Sequence, residues 1–230
     1  MNPTFVQDHK LGNLKVWKFP QLRRSYIIGA DIAEGLEKGD YTACHVIDSE
    51  SFEQVAVWWG KEEPYQFARQ LFGLGIWYNG CLIACERNEN GVVVINYLRA
   101  NSYPQIYKME KYEYEMVEDT DKLGWITTAR SRPLIVDALR ESVRTQALIL
   151  NDSETLAEMR TFIRNPRTGK IEAAIGSHDD LVISLGIACH LRLKMAGGLV
   201  YRRPDVSYMD KIRARDGVGG APGPGRGGYS

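Results

Sequence analysis

At 230 residues with a hydrophobic fraction of 44%, the chain can bury a sizeable core in one large domain, or in a domain carrying a tail. Its 29 Lys and Arg balance 29 Asp and Glu, a formal net charge of +0, which excludes a polybasic, histone-like binder but leaves room for a local basic patch. No apolar run nears the ~20 residues of a membrane span, Met1-Asn2-Pro3-Thr4 has no signal-peptide pattern, and Cys44, Cys81, Cys85 and Cys189 lie in apolar runs without a CxxC pair, as buried free thiols of a soluble intracellular protein do.

Leu14–Phe19 alternates polar and apolar residues and stops at Pro20, the pattern of a half-buried edge strand. Tyr26-Ile27-Ile28-Gly29-Ala30-Asp31 is a continuous apolar run ending on a carboxylate, which suits a strand buried on both faces. Thr42–Asp48 and Phe52–Trp59 are β-branched and aromatic and flank the turn-like Asp48-Ser49-Glu50-Ser51, so they form a hairpin that completes an antiparallel meander. A helix opens at Glu62-Glu63-Pro64, buries Phe67, Ala68, Leu71 and Phe72, and is expected to end at Gly73 and Gly75. Cys81–Glu86 is a fourth core strand, again ending on a carboxylate. Residues 92–99 read as strand by propensity and as a crossover helix by context.

Tyr103–Met109 is expected to be a short strand and Glu110–Lys122 a charged surface excursion. Pro133 starts an amphipathic helix carrying Leu134, Ile135, Ala138, Leu139 and Val143, and Ala147–Leu150 is expected to be a short strand. Caps at Asn151-Asp152-Ser153 open a helix with Leu156, Met159 and Ile163 on one face. Asn165–Lys170 is a hairpin tip with Ile171–Ile175 as its return strand. Gly176-Ser177-His178 leads, through Asp179-Asp180, into an apolar helix reaching Met195. The domain is placed at 1–198 and a Gly/Pro-rich tail at 199–230.

An ionised carboxylate at the end of a buried strand is costly unless paired. If the strands ending at Asp31 and Glu86 are parallel neighbours, and the helix opening at Asp179 and Asp180 lies against them, three or four carboxylates share one cleft. Such a cluster repels itself unless cations neutralise it. An all-oxygen donor set points to Mg²⁺ or Mn²⁺ rather than zinc, and two such ions ~4 Å apart clamp a phosphodiester. Each residue also has a plainer reading: Asp31 caps a strand, Glu86 pairs with a neighbouring cation, Asp179 and Asp180 favour a helix N-terminus, Asp40 is a turn residue, and His178 is structural. Asp179 and Asp180 point ~100° apart. The small Ser184 and Ala188 favour the Asp180 side approaching the strands, with Asp180 the main ligand and Asp179 a second-metal or water-positioning one. Arg164, Arg167 and Lys170 surround the hairpin tip, as solvated residues or as phosphate contacts.

In order along the chain, Tyr26–Asp31 with Ala33-Glu34-Gly35 and Gly39-Asp40-Tyr41, then Glu86-Arg87-Asn88-Glu89-Asn90-Gly91, then Gly124-Trp125 with Thr127, then Ser177-His178-Asp179-Asp180-Leu181, resemble the nuclease domain of the large terminase subunit of tailed bacteriophages, over about Leu14 to Leu193. The resemblance implies an α/β RNase H-like fold: a mixed central sheet flanked by helices, with a β-hairpin near the active site and 92–99 helical. It implies a two-metal Mg²⁺ or Mn²⁺ endonuclease cutting concatemeric double-stranded DNA during packaging. Asp31, Glu86 and Asp180 (or Asp179) match the family's acids. Portal and small terminase would be the partners, and the host cytoplasm and procapsid portal the location. Large terminases carry an ATPase domain ahead of the nuclease; this chain has no GxxxxGK[ST], since Gly169-Lys170 runs into Ile171, so it is expected to be the nuclease part alone. Another RNase H-like nuclease such as a junction resolvase, or a non-catalytic module docking DNA or portal, are the alternatives.

Overall fold

The computed structural model describes residues 13–36, 39–109, 123–164, 169, 171–174 and 176–197, with 207 and 211 as isolated positions. The charged segment Glu110–Lys122, most of the hairpin tip with Arg167 and Lys170, and the Gly/Pro-rich tail lie outside these residues.

A five-stranded sheet is built from β1 (Leu14–Val16), β2 (Tyr26–Asp31), β3 (Thr42–Asp48), β4 (Glu53–Gly60) and β5 (Leu82–Cys85), in the order β1-β4-β3-β2-β5. β1, β4, β3 and β2 are antiparallel neighbours, whereas β2 and β5 run parallel. The β3–β4 turn forms as expected: the Asp48 carboxylate accepts from the backbone N–H groups of Glu50 and Ser51, an Asx-type turn.

Helices cover both faces, which is why the central strands are apolar along their length. α1 (Pro64–Trp77) and α2 (Glu89–Ala100) pack on the face carrying Ile28, Ala30, Ile83 and Cys85. α3 (Ser131–Arg144) and α5 (Asp180–Ala196) cover the face carrying Ile27, Leu82 and Ala84. α4 (Ser153–Thr161) runs into a small hairpin of β6 (Phe162–Arg164) and β7 (Ile171–Ala173). Residues 92–99 are helical within α2, whose N-cap Asn88 accepts from the Gly91 N–H at 2.7 Å. All four cysteines are buried and free. Among the described residues no helix is long and apolar enough to cross a membrane.

α5 crosses β2 at Gly29. A Cβ at Gly29 would stand 2.2 Å from the Ser184 carbonyl oxygen and 2.6 Å from the Ala188 backbone nitrogen. The close approach therefore needs a bare Cα on the strand as well as small residues on the helix.

Four expectations are corrected. α1 runs through Gly73 and Gly75 to Trp77; Gly75 is there because a Cβ would lie 2.3 Å from the Tyr103 hydroxyl, not because the helix stops. Tyr103–Met109 is not a strand: only Ile106 bridges Ile83, and Lys108 bridges Leu123 and Gly124, so the segment grazes the outer edge of β5. Ala147–Leu150 likewise makes one bridge, Ile149 to Glu53, because β1 already occupies the rest of that edge of β4. Ile163 does not continue α4; it lies in β6, 49% exposed.

Candidate active site

The parallel pairing of β2 and β5 sets the site. Ala30 stands opposite Cys85, and the Glu86 N–H donates to the Ala30 carbonyl at 2.7 Å. Asp31 and Glu86 are thus each one residue past a paired position, side by side at one sheet edge. Side chains alternate along a strand. Asp31 therefore shares the face of Ile27 and Gly29, Glu86 that of Leu82 and Ala84, and both look toward the α5 side. Around Glu86, the Trp125 N–H donates to the Cys85 carbonyl at 2.7 Å and the Arg87 N–H to the Trp125 carbonyl at 2.6 Å. Asn88 donates to the Ile32 carbonyl at 2.9 Å, tying the ends of the two strands together.

α5 brings the third acid. Asp180, its first residue, is only 7% exposed and accepts weakly from the Tyr41 backbone N–H at 3.4 Å. Asp179 is the N-cap but makes no side-chain cap bond. Glu158 of α4 supplies one instead, accepting from the Val182 N–H at 3.0 Å.

A cleft of about 480 Å³ opens between these elements, lined among others by Asp31, Glu34, Asp40, Glu86, Asp179 and Asp180. Burial, then a hydrogen bond and repulsion from Glu86, then the charges of Asp180 and Asp179, hold the Asp31 carboxyl well above the usual carboxylate range. Burial pushes Asp180 up to about 6, aided by Asp40 and Asp179 and opposed by the Tyr41 N–H and His178. Glu158 rises to about 7, again chiefly through burial. His178 Nδ1 lies 3.5 Å from Asp40 and 3.8 Å from Asp180, joining both acids at the rim.

The structure thus gathers Asp31, Glu86, Asp179 and Asp180 in one cleft. Arg164 lies in β6, opposite Ile171 of β7. Two contributors escape sequence reasoning. One is Glu158. The other is Arg132, the one Arg or Lys among the described residues lining the cleft, whose Nη2 is 2.5 Å from Asp179 Oδ2. Pro133 offered a signal for Arg132: a cation in a helix's first turn opposes the helix dipole and needs a reason.

Among the described residues, no group of three or more His, Cys, Asp or Glu side chains is arranged to hold an ion as it stands. The donor chemistry nonetheless fits a hard divalent cation: oxygen ligands crowded together, with the Asp31 and Asp180 carboxyls held above the usual range by burial and by neighbouring carboxylates.

A family model described as the terminase RNase H-like domain matches residues 28–186. Among solved structures, the large terminase nuclease from the thermophilic phage G20c with bound cobalt shares 18% identity over 77% of this chain and 87% of that one, at a TM-score of 0.62. The same nuclease with bound magnesium matches over the same extents, also at 0.62. The large terminase nuclease domain of Thermus phage P74-26 shares 18% identity over 81% of this chain and 89% of that one, at 0.59. The mixed sheet with helices on both faces is the fold of these nucleases, and with more than half of its length matched by the family model, the chain belongs to the terminase RNase H-like domain family.

Proposed function

We propose that this chain is the nuclease domain of a viral large terminase, an Mg²⁺- or Mn²⁺-dependent endonuclease that cuts concatemeric double-stranded DNA during genome packaging. The observation that carries the reading is the convergence of Asp31, Glu86 and Asp180 from two strand ends and a helix start, with Arg132 the one Arg or Lys lining their cleft among the described residues. A structural role gives no reason to bury three such carboxylates together.

Asp31, Glu86 and Asp180 would hold the metal. Two bound ions supply an activated water and stabilisation of the leaving oxygen. The protein's part is to orient and to exclude. The paired β2 and β5 fix the spacing of Asp31 and Glu86. The Tyr41 N–H and the α5 N-terminus hold Asp180 in place, and Ile32, Ala33 and Ile183 exclude bulk water from one wall. Packaging partners, an ATPase domain, the portal and the small terminase, and a location in the host cytoplasm at the procapsid portal, belong to the same proposal.

Nicking of supercoiled plasmid tests it. Cleavage is expected with Mg²⁺ or Mn²⁺, none with chelator, and none by Asp31→Asn. Full activity in Asp31→Asn would sink the assignment.

A further inference from the structure

We propose that Arg132 is a phosphate contact for the DNA strand at the mouth of the acid cleft, and that Asp179 is its positioning residue rather than a metal ligand. The proposal rests on the nuclease reading, and it goes further by separating Asp179 from the other acids.

The placement of Arg132 is the first argument. It lies in the first turn of α3, where the exposed N–H groups make a cation unfavourable. Its position is nevertheless held by three separate elements. Its own helix supplies the backbone, Asp179 accepts from Nη2 at 2.5 Å, and the guanidinium stands 5.9 Å from the ring centroid of Phe162 on β6. A long, rotamer-rich side chain fixed this way presents its donors in a set direction at little further entropic cost.

The surroundings say what those donors face. Arg132 and Asp179 line the acid cleft and also an adjoining groove of about 900 Å³ between the start of α3 and the β6–β7 hairpin. Arg140, two turns along α3, lines the same groove. The side chain of Arg132 is 32% exposed, so a ligand can reach it. A strand whose scissile phosphate lay over Asp31, Glu86 and Asp180 would leave through this groove and pass Arg132 first. A guanidinium has five N–H donors, and those that Asp179 does not take remain for a phosphate oxygen pair.

Neutralising the acids is the competing role, and the geometry disfavours it. The ion pair of Arg132 is with Asp179, not with Asp31, Glu86 or Asp180, whose charges are the crowded ones. Asp179 in turn is the N-cap residue, outside the helical backbone of α5, and has a carboxylate oxygen committed to a short charge-assisted bond.

The test is binding of a fluorescein-labelled DNA duplex to the full chain without divalent metal, followed by anisotropy against salt. Arg132→Ala should weaken binding about tenfold and reduce the salt slope by about 1. Arg132→Lys should keep the slope while losing several-fold in affinity, and it serves if the alanine variant melts early. Asp179→Asn should lose about threefold with the slope kept, and the double variant should bind no worse than Arg132→Ala alone. In parallel, the Mn²⁺ concentration giving half-maximal thermal stabilisation should be unchanged in Asp179→Asn and strongly raised in Asp180→Asn. Wild-type affinity and slope in Arg132→Ala and Arg132→Lys, additive losses in the double variant, or a tenfold weaker Mn²⁺ response in Asp179→Asn each overturn the proposal. Binding is read without cleavage, so absence of metal-dependent nicking would defeat the nuclease reading separately.

Discussion

Two polar clusters sit one helical turn apart on the same stripe of α5, and they are built in opposite ways. Around Ser184 every group has a partner. His45 Nδ1 lies 3.0 Å from the Ser184 hydroxyl and Nε2 3.1 Å from the Thr155 hydroxyl. Thr155 donates to Asp152 at 2.7 Å, and Asp152 accepts from Lys15 at 2.8 Å. Because the Thr155 proton goes to Asp152, its oxygen accepts from Nε2–H, leaving Nδ1 to accept from Ser184. Burial pushes the His45 pKa down to about 3, so the imidazole is neutral and the one net charge, on Asp152, is met by lysine. Around Asp180 the reverse holds: Asp31, Glu86 and Asp180 converge on one cleft, and the Asp31 and Asp180 carboxyls are held above the usual carboxylate range. The first cluster is what a fold does with buried polarity for its own sake. The second is unfavourable as a part of the fold, and a bound cation of the kind proposed would offset it.

Substitutions should separate the two clusters, and the largest effect is on chemistry. Asp31→Asn is expected to lower plasmid cleavage by roughly a thousandfold or more, comparable with removing a key electrostatic group elsewhere. Its metal-free melting temperature should be unchanged or higher, since a repulsive charge is gone. Gly29→Ala comes next and strikes both clusters through their shared helix. A methyl 2.2 Å from the Ser184 carbonyl must push α5 off β2, costing about 3 kcal/mol or more, with cleavage impaired although every acid remains. Calorimetry alongside the nicking assay checks both parts.

His45→Leu reverses the pattern of Asp31→Asn. It removes the imidazole bonds of the Ser184 and Thr155 hydroxyls, which keep only the Leu181 carbonyl at 3.2 Å and Asp152 at 2.7 Å, at about 1 to 2 kcal/mol, with cleavage below the melting transition retained. The smallest effect is on pH. Asp31, Asp180 and Glu158 all have folded-state pKa values above their unfolded ones, so the native state binds more protons between roughly pH 4 and 7. Stability of the metal-free protein should therefore rise as pH falls from about 8 to about 5.5, by a few degrees in melting temperature, and should be lost again as pH rises through the folded values. Asp31→Asn should flatten this slope, whereas His45→Leu should leave it intact.

The part of this contrast that was legible in the sequence is the part written as charge against hydrophobicity. Asp31 and Glu86 stand out because apolar runs lead into them, and Asp180 because an apolar helix follows it. Their neighbourhood followed once the two strands were taken as parallel. The satisfied cluster was not legible: His45 lies inside an apolar strand, and its partners Ser184, Thr155 and Asp152 come from elements far away in the chain. Arg132 and Glu158 were missed for a related reason. Each sits in a charged, amphipathic helix where many residues look alike, and only tertiary packing selects the one that turns inward. The same packing decides Gly75, which reads as a helix stop until Tyr103 is seen lying against it. Short apolar runs such as 147–150 carry strand propensity, but whether they pair depends on which sheet edge is still open.

The central claim is that the acid cluster is paid for by a divalent cation. Titrating Mn²⁺ into the metal-free protein near pH 6, by calorimetry in two buffers of different ionisation enthalpy, addresses it most directly. The account predicts saturable binding accompanied by net proton release, because Asp31 and Asp180, whose carboxyls are held above the usual carboxylate range, ionise on loading. It also predicts that both signals collapse in Asp31→Asn and in Asp180→Asn but survive in His45→Leu. Absence of binding in the wild type, or binding of equal strength and proton release in Asp31→Asn, would contradict it.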